Sequence, residues 1–116
     1  MGKSQRTKGH SFERQTAIAM RAIYPDAKRG LQSRGGTGEA PDVDGTQWFI
    51  ECKVGAKPPH RRAWEQARNA SDGRVPVAVI KQDRAETLAI LEFSALLELW
   101  AELEALTQVD CEEGWK

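Results

Sequence analysis

The chain has 116 residues, 40% hydrophobic and 29% charged, with 17 Lys/Arg balanced by 17 Asp/Glu. That length suits one domain with one modest core and leaves little room for a second. No apolar run approaches the ~18 residues of a membrane span. The basic, polar start from Met1 to Lys8 lacks the apolar stretch of a secretory signal.

Residues 1–10 read as a basic flexible arm. A helix is predicted from Ser11, which caps it; Phe12, Ala19 and Ile23, with Ile18 and Ala22 beside them, recur at helical spacing, and Pro25 stops it. Residues 28–34 read as a short strand, and Gly35, Gly36 and Gly38 as a loop. Pro41 to Asp44 is a second strand, closed by the hairpin signal Asp44-Gly45, and Gln47 to Val54 is a third. A helix follows from about Pro59 to Ala70. Val75 to Ile80 is almost continuously apolar, as in a strand buried mid-sheet. Glu86 to Phe93 is a further strand. Ser94 opens a last helix carrying Leu96, Leu97, Trp100, Leu103 and Leu106, and residues 110–116 read as a loose tail. The order α-β-β-β-α-β-β-α predicts one α/β domain over 1–116, a central mixed β-sheet flanked by helices.

The charge is neutral in sum but uneven along the chain. Residues 1–34 and 53–84 are each rich in Lys/Arg, residues 85–116 hold one base against eight acids, and only acids (Glu39, Asp42, Asp44, Glu51) lie between the two basic blocks. Phosphates require Lys/Arg around them, and a hard divalent cation requires carboxylates, so this pattern suits a metal site beneath a polyanion. The two cysteines, Cys52 and Cys111, have no spacing that builds a zinc site or disulfide framework and read as reduced thiols of a cytoplasmic protein.

The chemistry concentrates in Pro41-Asp42-Val43-Asp44-Gly45 and Ile50-Glu51-Cys52-Lys53. Glu51 and Lys53, two apart on a strand, share one face; Trp48, Ile50 and Cys52 take the other and are expected in the core. The hairpin at Asp44-Gly45 returns Asp42 alongside Glu51. Asp42 and Glu51 are then expected to hold Mg²⁺, with the Cys52 carbonyl as a further oxygen ligand and Mn²⁺ as a substitute. Lys53 is expected to steer an attacking water or offset developing charge. Asp44 is a candidate second acid, though a plain turn role before Gly45 fits it better. Gln66, on the helix after the motif, reads as a solvated helix glutamine. His10 and His60 share no ligand spacing and read as surface or DNA-facing residues.

This stretch resembles the PD-(D/E)XK nuclease superfamily, with Pro41-Asp42 and Glu51-Cys52-Lys53 as its two motif halves. The element order is similar to that superfamily's restriction-endonuclease-like core. Gly9-His10-Ser11-Phe12-Glu13-Arg14 looks like the first helix of archaeal-type Holliday junction resolvases and their phage relatives, and Ser33-Arg34-Gly35-Gly36 is similar to their mobile Ser/Gly loop. The resemblance implies that Glu13 joins the catalytic metal site, and it makes Gln66 a candidate helper. It also implies a Mg²⁺-dependent, structure-selective DNA endonuclease acting as a homodimer in a bacterial or phage-infected cytoplasm. Arg29, Ser33, Arg34, Lys57, Arg61, Arg62 and Lys81 are the expected DNA contacts. With no base-reading motif in the sequence, selection by DNA shape is expected, a branched or distorted duplex above a defined sequence. A nicking, restriction-like or exonucleolytic enzyme, and a non-catalytic DNA-binding protein of the same fold, stay open as alternatives.

Overall fold

The computed structural model describes residues 2–30 and 40–114, with side chains over 4–30 and 40–108. Its elements follow the predicted order: α1 (Gly2–Met20), β1 (Lys28–Arg29), β2 (Val43–Asp44), β3 (Trp48–Gly55), α2 (His60–Ala70), β4 (Val75–Gln82), β5 (Thr87–Ile90) and α3 (Phe93–Gly114). The strands form one mixed sheet in the order β1-β2-β3-β4-β5. Only β3 and β4 pair in parallel, with Glu51 beside Ala78 and Lys53 beside Ile80. A parallel pair needs a crossover, and α2 supplies it.

The two helices α1 and α2 cover opposite faces of this sheet. Phe12 and Ala17 of α1 pack on Val43, Ile50, Cys52 and Val77. Ala63 of α2 packs on Ala78 and Ile80. Side chains alternate along a strand, so Phe49, Glu51 and Lys53 lie on the α2 face, and Ile50 and Cys52 on the α1 face. The core role expected of Ile50 and Cys52 is therefore observed, while Trp48 is half-buried at its margin. β4 lies inside the sheet as expected, but Val75 at its start is exposed.

Helix α1 differs from expectation in extent and in face. It starts at Gly2 and takes in the stretch expected to be a flexible arm. Its buried residues are Phe12, Glu13, Thr16 and Ala17, whereas Ile23, beyond the helix, is 76% exposed and Ile18 is 53% exposed. The polar residues tolerate burial because they have partners: the Thr16 hydroxyl donates to the Phe12 carbonyl at 2.8 Å, and Glu13 pairs with Arg29.

Two glycines are fixed by close approach. A Cβ at Gly30 would collide with the Pro41 carbonyl oxygen, where the Gly30 N–H donates to the Asp42 carbonyl at 2.8 Å. Gly45 turns the β2–β3 hairpin at φ 83, and a Cβ there would strike the Asp26 backbone. The hairpin forecast from Asp44-Gly45 is thus realised.

Helix α3 does not cover the sheet. Its first turns bring Ala95, Glu98 and Leu99 near Gln47, Trp48 and Val75. Beyond them the helix projects, and the molecule reaches 61 Å in its longest dimension. The helix continues to Gly114, through most of the expected loose tail. No helix among the described residues is long and apolar enough to cross a membrane.

Candidate active site

Asp42 immediately precedes the Val43–Ile50 pair and is bonded to Ile50 and Cys52, the two residues that flank Glu51 on β3. Two hydrogen bonds hold this arrangement. The Asp42 N–H donates to the Ile50 carbonyl at 2.7 Å, and the Cys52 N–H donates to Asp42 Oδ2 at 2.8 Å. The side chain of Asp42 thus replaces a backbone acceptor at the point where β2 leaves the ladder. In a strand the N–H and C=O of one residue point the same way, so the Cys52 carbonyl is also directed at the Asp42 side of β3.

Both carboxylates are 6% exposed, and neither is without a partner. The setting is enclosed because α2 and the fully buried Phe49 occupy the same side of the sheet. Lys53, two residues beyond Glu51 on that face, is half-buried.

The Cys52 thiol is buried among the candidate acids. It is pushed well above the ordinary 9.0, first by burial and then by the negative charge of Asp42, with smaller contributions from Glu13 and Glu51; a hydrogen bond with Thr16 acts in the opposite direction. All three candidate acids therefore act on one buried sulfur. Glu13 reaches it from the α1 face, and its carboxylate is committed to Arg29, whose Nε lies 2.9 Å from Oε2. Arg29, expected as a phosphate contact, is this carboxylate's counter-ion.

The donor chemistry bears on which ion fits. Among the described residues, no group of three His, Cys, Asp or Glu side chains stands close enough to hold a metal by itself. Mg²⁺ is commonly held by one or two carboxylates while keeping several waters, so Asp42, Glu51 and the Cys52 carbonyl fit it. Zinc and calcium, which take fuller protein shells, fit this set less well.

The expected DNA contacts fall on different parts of the surface. Lys57, Arg61 and Arg62 are exposed in the segment that follows the C-terminal end of β3, the end toward which Lys53 lies. Arg61 is partly engaged by Glu65 at 3.3 Å. Lys81 lies on the α1 face, opposite Glu51 and Lys53, since its neighbour Ile80 sits beside Lys53. Ser33 and Arg34 lie outside the described residues. Gln66 is exposed on α2, and the His60 ring is engaged locally with the Pro58 carbonyl at 2.9 Å. Asp44 accepts the Gly45 N–H at 2.9 Å and lies 3.7 Å from Arg74, which matches its turn role.

Two basic groups acquire roles that the sequence reading did not assign. Lys8 pairs with Asp83 at 2.6 Å, and the Asp83 N–H donates to the Gly55 carbonyl. The basic start of α1 therefore lies at the same end of the sheet as Lys57, Arg61 and Arg62. Arg74 stacks over Phe49 at 5.5 Å and pairs with Asp72 at 2.7 Å, tying the start of β4 to the hairpin. Neither pairing had a signal in sequence spacing, because each joins residues from separate elements or rests on a ring stack.

Comparison with models of known protein families, with characterised proteins and with solved structures returns no match. The reading of this site therefore rests on its own chemistry.

Proposed function

We propose that this protein is a Mg²⁺-dependent DNA endonuclease of the PD-(D/E)XK type, with a restriction-endonuclease-like core formed by α1, β1–β3, α2 and β4. The observation that carries the reading is the buried pair Asp42 and Glu51, with Asp42 bonded to the two residues that flank Glu51 and Lys53 on the same face as Glu51. A binding surface for phosphate alone gains nothing from two buried carboxylates beside it. Mg²⁺ bound there would polarise the scissile phosphate and lower the pKa of an attacking water. Asp42, held by the Cys52 N–H, and Glu51, fixed on the long β3, would hold the ion before substrate arrives. Lys53 orients the incoming water and offsets charge on the phosphate as the new P–O bond forms and the old one breaks. Lys57, Arg61, Arg62 and the basic start of α1 hold the DNA backbone at that end of the sheet.

A branched duplex, such as a four-way junction, is the proposed substrate. No helix-turn-helix or comparable base-reading element stands among the described residues, and the basic groups are distributed as backbone contacts. The test is a panel of four-way junction, flap, nicked and linear DNA with Mg²⁺ or Mn²⁺. Preferential cutting of the junction is expected, abolished by Glu51→Gln. Equal cutting of all forms would remove the structural selectivity, and no metal-dependent cutting of any form would remove the nuclease reading.

A further inference from the structure

The α1 face of the sheet is only half covered. Beside α1 lies an open groove of about 440 Å³, floored by Val77, Val79 and Ala89 and walled by Phe12, Ala19 and Met20. It runs the length of β4 and β5, from Leu91 at one end to Lys81 and Thr87 at the other. The same molecule carries a helix with the opposite problem. Leu97, Trp100, Leu103 and Leu106 of α3 are about half exposed or more, and Trp100 at 52% is a large apolar surface in water. Leu96, Leu99, Leu103 and Leu106 repeat at spacings of three and four, a continuous seam meant for a partner.

We infer that α3 of one copy seats in the groove beside α1 of a second copy, and the reverse, making a two-fold exchanged dimer. Charge selects this occupant. The sequence of α3 holds six acids (Glu98, Glu102, Glu104, Asp110, Glu112, Glu113) and no base. Helix α1 carries Lys3, Arg6, Lys8 and Arg14 against Glu13 alone, with Lys8 shared with Asp83, and Lys81 stands at the groove's far end. Pairing α3 with α3 would bring twelve acids together, whereas the α1 side offers cations. Length fits too: 22 residues of helix extend about 33 Å, and an eight-residue strand about 26 Å. Within one chain, α3 leaves the sheet at the Val75 end and carries Trp100 to Leu106 past the body. An isologous pair makes each contact twice, so the exposed apolar surface of both helices and both grooves is covered together. The inference does not depend on the nuclease reading.

The test uses the full chain. Light scattering at micromolar protein should give twice the 12.9 kDa chain mass. Leu103→Glu enters a two-fold pair twice and should weaken association by roughly a hundredfold, about tenfold per contact, with helical content unchanged. Raising salt should weaken the wild-type dimer as screening shortens the reach of these charges. A mixture of ¹⁵N-labelled and unlabelled protein, joined by carbodiimide, should yield mixed-label peptides linking Lys8 or Lys81 to α3 glutamates. A monomeric wild type would overturn the inference. So would same-label links alone, which mean that α3 folds back on its own groove, or a dimer lacking links from α1 or Lys81 to α3.

Discussion

Asp42 accepts the backbone N–H of Cys52 at 2.8 Å, so the carboxylate proposed to hold the metal also closes the strand ladder. The two roles separate by mutation. Asn retains an acceptor oxygen and should keep the fold, whereas Ala leaves a buried N–H unsatisfied, at a cost of about 1–3 kcal/mol. Asp42→Asn should melt near wild type and Asp42→Ala several degrees lower, while both lose Mg²⁺-dependent cleavage. Thermal melting beside single-turnover assays checks this. Equal melting of the two variants would show that the hydrogen bond contributes nothing to stability.

The Glu13–Arg29 pair should respond asymmetrically. Glu13 is nearly buried, whereas a third of the Arg29 side chain is exposed. Arg29→Met strands a carboxylate in the core and should cost about 1–3 kcal/mol, less than the ~3–5 kcal/mol of a fully buried pair. Glu13→Gln leaves Arg29 able to hydrate and should cost less. In denaturant melts, a larger loss for Glu13→Gln would reverse the assignment of which partner is trapped. If Glu13 also assists the metal, Glu13→Gln should raise the Mg²⁺ requirement for cleavage.

Lys53 and Lys81 lie on opposite faces of the sheet, and this gives a direct comparison. Lys53→Ala should lower the single-turnover rate by ~10²–10³, the usual cost of one preorganised electrostatic contact. Lys81→Ala should leave that step within about twofold and act instead on self-association. A Lys81 variant as slow as the Lys53 variant would place the chemistry on the wrong face.

The Asp72 carboxyl is held down at about 2, below its ordinary 3.8, chiefly by its hydrogen bond with Arg74. A folded value below the unfolded one means stability that is fully present above pH 4 and lost as pH falls through 2. The group is exposed, so the change is small and is best read at the carboxyl itself. In a carboxyl-resolved NMR titration, Arg74→Gln should return Asp72 toward 3.8. An unmoved midpoint would detach it from Arg74.

Much of this arrangement was legible in the sequence. The Asp44-Gly45 hairpin, the shared face of Glu51 and Lys53, and the order of elements follow from turn chemistry and strand alternation. Other features depend on partners far along the chain. The buried face of α1 carries Glu13, whose counter-ion is sixteen residues away on β1, so apolar spacing pointed instead to Ile18 and Ile23. β2 keeps only Val43 and Asp44 because the Asp42 side chain takes the bond that backbone would otherwise make. The position of Lys81 depended on the parallel register of β4 against β3, which no local pattern reveals. The apolar stripe on α3 was evident, but not that the chain's own sheet leaves it uncovered.

The unequal strands on either side of the carboxylate pair make the site soft on one flank. Glu51 belongs to an eight-residue ladder between β3 and β4, and Asp42 adjoins the two-residue β2. Amide hydrogens along β3 and β4 should exchange with solvent only on global unfolding, while those near β2 exchange through local opening at far lower free energy. One carboxylate thus belongs to the slowest-exchanging part of the molecule, and the other depends for its place on two bonds to that part, at Ile50 and Cys52, more than on its own short strand.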